Sequence, residues 1–201
     1  KIVSIVKTLQ KNNIILSHID IGGGLGIKYH NEIKPDKNTF ISSIIKLLQP
    51  YDVTILIEPG RSIVGEAGLL ISKVLNTKKT TSKEFIIVDA GMNDLLRPPL
   101  YDAYHQIKEV KRNNDGKVLC DVVGPVCETA DFLGKNRHLS VTRGDYIAVE
   151  SVGAYGFTLS SNYNTRSKSA EYLIEKDGVT IKKIRERDSI DQILENEIKH
   201  L

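Results

Sequence analysis

The sequence predicts a parallel α/β unit over residues 1–64 followed by an antiparallel β domain over residues 65–201. Two apolar, β-branched runs, Ile14–Ile21 and Val53–Ile57, alternate with stretches of helical spacing in the first part. Both runs end in glycine-containing loops, Asp20–Gly26 and Glu58–Arg61. Beyond about residue 65 the pattern changes to short strand-like runs separated by turn-forming clusters.

Taken in order, residues 1–10 have helical spacing and lead into the strand Ile14–Ile21. Asn38–Leu48 is a second helix, with Phe40, Ile41, Ile44, Ile45 and Leu48 on one face. The strand Val53–Ile57 follows. Strand, loop, helix, strand is the order of a parallel α/β unit, and too few such units are present to close a parallel barrel. A chain opening on a helix in this way is expected to be the back part of something larger. The β domain is expected to contain strands at Ala67–Leu75, Glu84–Asp89, Val118–Val123, Asp145–Val149, Glu171–Glu175 and Val179–Ile184. Asn113–Gly116 and Lys176–Gly178 read as hairpin turns. Arg143-Gly144-Asp145, between two apolar runs, also reads as a hairpin turn rather than an adhesion signal.

Composition narrows the function. A net charge of +3, from 28 basic and 25 acidic residues, is mixed along the chain, with no basic stripe interleaved with aromatics for nucleic acid. No apolar run reaches the length of a membrane span, and Lys1–Gln10 lacks the features of a signal peptide. Two cysteines and no Asn-x-Ser/Thr sequence suggest the cytoplasm. The histidines at 18, 30, 105, 138 and 200 have no metal-ligand spacing, so no metal is expected.

The loops carry the chemical signal. Gly22–Gly26 fits neither the dinucleotide fingerprint, because Ile27 stands at its sixth position, nor a P-loop, because no Gly-Lys-Ser/Thr follows. Glycine nevertheless lets backbone N–H groups approach a phosphate. Taken alone, the loop is equally a tight strand-to-helix turn. Glu58-Pro59-Gly60-Arg61 adds a carboxylate and a guanidinium suited to gripping phosphate or carboxylate. Its plain alternative is a surface ion pair between Glu58 and Arg61.

With these loops, Leu95–Tyr101, Gly124–Glu128 and Gly153–Phe157 occur in an order that resembles the diaminopimelate decarboxylases. These are pyridoxal 5'-phosphate enzymes of the alanine-racemase and ornithine-decarboxylase fold type. The resemblance runs from about Ile14 to about Asp188 and implies the last part of a (β/α)8 barrel followed by the C-terminal β domain. It implies that Gly23, Gly24, Gly60, Arg61 and Tyr155 bind the cofactor phosphate and that Glu58 faces the pyridine nitrogen. Arg61, Arg97 and Tyr101 would bind the substrate's distal carboxylate, Glu128 its distal ammonium, and Tyr155 would line the pocket. Arg97, just before Pro98-Pro99, is expected on a stiff loop.

The resemblance further implies that Cys127 returns a proton to the substrate carbon after CO2 leaves. A thiol with an ordinary pKa of about 8.5 can donate near neutrality. The plain readings are a small buried hydrophobe for Cys127, as for Cys120, and a core tyrosine for Tyr155. In that family Cys127 and Glu128 reach the neighbouring subunit's site, so a homodimer acting on a small amino acid is implied. The family's cofactor-bearing lysine and stacking histidine lie upstream of Ile14 and have no counterpart here. Lys28 stands where proline is frequent, and Ser167-Lys168 where Arg and Pro are frequent. Alternatives are ornithine, arginine or carboxynorspermidine decarboxylation, or a non-catalytic dimerising regulator.

Overall fold

The computed structural model describes residues 1–111 and 116–200. Helix α1 (Ile2–Lys11) turns Val3 and Val6 inward and stops at Asn12-Asn13, where Asn13 takes the left-handed conformation (φ 57°) that asparagine tolerates at helix ends. Strand β1 (His18–Asp20) is shorter than the apolar run that contains it. Its one neighbour, β2 (Thr54–Leu56), pairs with it in parallel over three residues only, and Ile15 upstream is 91% exposed. Helix α2 (Lys37–Leu48) starts where the Asp36 carboxylate accepts the Thr39 N–H at 2.6 Å. It packs Ile44 and Leu48 on Val6 and Ile19, while Ile45 stays exposed. β1 and β2 form a two-stranded parallel sheet. The short helix α3 (Arg61–Val64) follows β2.

The larger part is one six-stranded sheet. Its strands are β3 (Leu69–Lys79), β4 (Glu84–Val88), β5 (Ile107–Glu109), β6 (Val118–Val123), β7 (Phe132–Leu139) and β8 (Tyr146–Glu150), with the short helix α4 (Arg97–Tyr101) between β4 and β5. The spatial order is β5-β8-β3-β4-β6-β7. β3 runs past Leu75 to Lys79 because its polar end still has a partner in β4, across a register shift between Val74 and Asn76.

The sheet departs from several expectations. The sheet is not purely antiparallel, since β4 and β6 pair in parallel, joined by the long crossover that carries α4 and β5. β7 was not expected as a strand because Gly134-Lys135-Asn136-Arg137 interrupts its apolar pattern, and Asn136 sits at φ 54°. The expected turn at Asn113–Gly116 lies, but for its last residue, outside the described residues, and the strands on either side, β5 and β6, are not sheet neighbours. Arg143–Asp145 does make a turn, with the Asp145 carboxylate accepting the Thr142 N–H at 2.8 Å, but it joins β7 to β8, which are not paired either.

The core is continuous across the sheet: Val74, Ile86, Val88, Leu95, Ile107, Val122, Leu133, Ile147 and Val149 are all buried. The outer strands β5 and β7 approach each other and roll the sheet almost into a barrel. The Ser140 N–H donates to Glu109 Oε1 at 3.0 Å, and a Cβ on Gly134 would lie 2.9 Å from Ile107 Cδ1. The hairpin of β9 (Glu171–Ile174) and β10 (Ile181–Arg185) turns as expected at Lys176–Gly178, where the Asp177 carboxylate accepts the Val179 and Thr180 N–H groups. Short helices α5 (Ile190–Ile193) and α6 (Glu195–Ile198) end the described chain. No helix among the described residues is long and apolar enough to cross a membrane.

Leu133→Ala is expected to lower the unfolding free energy by about 3 kcal/mol, in the range of buried leucine truncations. Ile174→Ala in the exposed hairpin should change it by less than ~1 kcal/mol. Urea denaturation followed by circular dichroism compares the two.

Candidate functional site

The parallel pairing of β1 with β2 sets their two following loops side by side. The Glu58 N–H donates to the Gly22 carbonyl at 2.9 Å, and the Gly22 N–H to Asp20 Oδ1 at 2.7 Å. Gly22 and Gly24 sit at φ 70° and 69°, and a Cβ on Gly23 would come within 2.6 Å of the Glu58 carbonyl oxygen. The segment is not a strand-to-helix turn, because irregular chain continues from Ile21 to Asp36. The N–H groups of Gly23, Gly24 and Gly60 find no acceptor within the described chain. Free backbone donors over bare glycine, with a guanidinium at Arg61, make a cradle that fits a phosphate. No ion pair joins Glu58 to Arg61 among the described residues.

The end of α3 is pressed onto the segment leaving β8. The Gly153 N–H donates to the Gly65 carbonyl at 3.1 Å, and a Cβ on Gly153 would fall 1.8 Å from the Val64 carbonyl oxygen. This contact brings Tyr155 to Arg61, whose Cζ lies 5.4 Å from the Tyr155 ring centroid. Tyr155 is half-exposed with φ 62°, a backbone region unusual for a tyrosine, so it is not a core residue.

Two guanidinium groups lie over the Tyr29 ring. Arg61 Cζ is 5.8 Å and Arg97 Cζ 4.7 Å from its ring centroid, and its hydroxyl is buried without a hydrogen-bond partner. Arg97 is not on a loop. It is the first residue of α4, where the prolines behind it are tolerated because first-turn N–H groups have no partner in the helix. It is 7% exposed, donates from Nη1 to His105 Nε2 at 3.1 Å, and has no carboxylate partner among the described residues. Tyr101, at the other end of α4, is 64% exposed, and among the described residues no hydrogen bond or ring contact joins it to this group.

Cys127 and Glu128 are exposed, and no hydrogen bond or ion pair joins them to Arg61, Arg97 or Tyr155 among the described residues. Their loop is held by Asp131, whose two carboxylate oxygens accept the Met92 and Val126 N–H groups at 2.6 Å each. Burial pushes the Asp131 carboxyl pKa up, and those two N–H groups oppose the shift. Cys120 is buried under β7 and burial raises its thiol pKa to about 11, which suits a small core residue. Among the described residues no three His, Cys, Asp or Glu side chains gather as metal ligands. A cleft of about 370 Å³ opens beside Tyr29, lined also by Lys28, His30, Glu66 and Glu150, and no residue expected from the sequence faces it.

Tyr29, His105 and Asp131 were not singled out in the sequence. An aromatic three residues beyond the glycine loop, and the Tyr104-His105 pair soon after α4, are the only local signals for the first two. Burial lowers the His105 pKa from 6.5 to about 4, and the charges of Arg97 and Arg137 push the same way, while the Glu150 carbonyl opposes them. Between pH 6.5 and 4 the unfolded chain therefore binds a proton at this position that the folded chain refuses. Stability from this group is full above the upper value and is lost as pH falls through the window. The expected loss is on the order of 3 kcal/mol. His105→Gln, which cannot take up the proton, should lack that component when urea midpoints are compared across the window.

A sequence family described as pyridoxal-dependent decarboxylase, C-terminal sheet domain, matches residues 10–153. The diaminopimelate decarboxylase of Aquifex aeolicus is 49% identical over 197 residues, 97% of this chain and 46% of that protein. That of Neisseria meningitidis serogroup A is 43% identical over 198 residues, 98% of this chain and 48% of the relative. The crystal structure of Helicobacter pylori diaminopimelate decarboxylase complexed with L-lysine matches with a TM-score of 0.90 at 44% identity, covering 100% of this chain and 49% of that one. The chain spans about half the length of the curated relatives it matches.

Proposed function

Since the chain belongs to the pyridoxal-dependent decarboxylases and matches their C-terminal sheet domain, we propose that it is the C-terminal part of a diaminopimelate decarboxylase. The reaction would break the bond from a substrate α-carbon to its carboxylate, release CO2, return a proton to that carbon and leave L-lysine. The buried Arg97 guanidinium carries this reading. A buried charge with no counter-ion costs several kcal/mol, and Arg97 has only the neutral acceptor of His105. An anionic group of the substrate would complete it.

In this reading residues 1–64 are the last part of the cofactor-binding (β/α)8 barrel and residues 65–201 the β domain. The order α1-β1-α2-β2 and the parallel pairing of β1 with β2 support the first assignment. Gly23, Gly24, Gly60 and Arg61, with Tyr155 beside Arg61, would hold the phosphate of pyridoxal 5'-phosphate, and Glu58 would meet its pyridine nitrogen. When bound, the cofactor supplies the electron sink that takes up the electron pair left as CO2 departs. Glu58 as a carboxylate keeps a proton on that nitrogen. Arg61 and Arg97, with Tyr101, would take the distal carboxylate, and Glu128 the distal ammonium.

Cys127 would give its thiol proton to the substrate carbon. Among the described residues no hydrogen bond or ion pair joins the Cys127–Glu128 loop to the Arg61 group, which favours a homodimer in which the loop serves the neighbouring site. The cytoplasm is the compartment proposed for such an enzyme. An ornithine-type substrate has no distal carboxylate and would leave Arg97 without a partner.

Release of CO2 from meso-diaminopimelate and from ornithine by the full-length holoenzyme tests the assignment. Arg97→Met keeps the aliphatic stem and should cut the preference for diaminopimelate at least roughly thirtyfold, the lower end for a lost buried charge contact. An unchanged preference would rule out Arg97 as the carboxylate-binding residue.

A further inference from the structure

His105 lies in the extended stretch between α4 and β5 and is fully enclosed. Both ring nitrogens are engaged: Nδ1 is 2.9 Å from the Glu150 carbonyl oxygen, and Nε2 is 3.1 Å from Arg97 Nη1. A carbonyl can only accept and a guanidinium can only donate. The hydrogen therefore sits on Nδ1, and Nε2 offers its lone pair to Arg97. The ring is neutral because its two partners leave no other arrangement.

The surrounding groups keep it so. Tyr29 meets the ring edge-on, with centroids 5.1 Å apart and planes at 76°. Arg97 and Arg137 supply the nearby positive charges, and Arg137 lies 3.8 Å from the Tyr104 ring centroid. The one carboxylate close by on β8, that of Glu150, turns to Lys108 at 2.7 Å. No acidic side chain contacts either His105 or Arg97 among the described residues.

We propose that His105 is a positioning residue for Arg97: as the neutral Nδ1–H tautomer it fixes one guanidinium nitrogen and leaves the remaining donors for the substrate's distal carboxylate. This rests on the assignment of Arg97 made above. A carboxylate in place of His105 would orient Arg97 equally well but neutralise it, and would compete with the ligand for the same donors. An imidazole orients the guanidinium and leaves its charge unspent. Protonated at Nε2, the ring would present a donor to a donor, and the contact would be lost.

L-Lysine retains the amino-acid head distal to the decarboxylated carbon, whereas cadaverine lacks any carboxylate. The ratio of their affinities, measured by calorimetry on the full-length holoenzyme, therefore reads the carboxylate contact separately from the rest of the site. His105→Phe keeps a ring but removes the acceptor, and should weaken L-lysine at least about tenfold, the lower end for a lost hydrogen bond to a charged group, with cadaverine within about twofold. His105→Gln, whose amide oxygen can accept from Arg97, should recover part of the loss. Arg97→Met is measured beside them. Loss of the lysine preference in Arg97→Met but not in either His105 variant would overturn the positioning role alone. Equal weakening of both ligands in the His105 variants would reduce His105 to a structural residue and overturn it as well. A preference unaffected in Arg97→Met would instead remove the reading of Arg97 on which the proposal stands.

Discussion

Where α3 meets the chain leaving β8, backbone lies directly on backbone. The Val152 N–H donates to the Gly68 carbonyl at 3.1 Å and the Gly153 N–H to the Gly65 carbonyl at the same distance. Any side chain at Gly68 would strike Gly153, and any at Gly153 would strike the Val64 carbonyl. Two residues without a Cβ thus permit an approach that no other pair allows. Arg61 hangs from one side of this junction and Tyr155 from the other, so their meeting follows from the contact between the segments that carry them. The Lys34–Glu66 ion pair, on the exposed surface, adds a side-chain tie between the loop after β1 and the same junction.

Charge in this region is unbalanced. Arg61 and Arg97 both lie over the Tyr29 ring, Arg137 lies over Tyr104, and His105 nearby is held neutral. Aromatic faces attract cations but carry no net charge, so they stabilise the guanidinium groups without cancelling them. Two acids of the neighbourhood are spent on lysines at the rim, Glu150 on Lys108 and Glu109 on Lys117. The result is a positive interior under a neutral aromatic cover, which suits a ligand bearing phosphate and carboxylate groups.

Much of this was legible in the sequence, and the limits have physical causes. β4, β6 and β8 announce themselves through short apolar runs containing β-branched residues, and α2 through a face running from Phe40 to Leu48. The two glycine loops could be placed together because parallel strands put the loops that follow them on one side. β7 was hidden by the polar residues at its irregular middle, and the parallel pairing of β4 with β6 is a long-range choice that no local pattern encodes. Arg97 was legible as a residue but not as a buried one. Its setting is made by Tyr29 and His105, which arrive from segments far apart in the chain and look ordinary in isolation. The roles of Cys127, Glu128 and Tyr101 came from the resemblance, and among the described residues no hydrogen bond or ion pair ties them to the site.

The strand order also dictates the sequence of events as the chain is made. β8, the last of the six to leave the ribosome, sits between β5 and β3 near one end of the sheet. Until residue 150 is available, β5 has no neighbour and one edge of β3 stays open. The nascent protein thus carries unpaired backbone from the making of β3 until that of β8, the condition under which strands join the wrong partner. The stretch of β3 left open is Leu69–Lys73, the part that β8 later covers, and it opens with three apolar residues. The closing strand delivers Glu150 and the glycine junction in the same step, so a chain interrupted before it has neither a finished sheet nor the backbone carbonyl that orients His105.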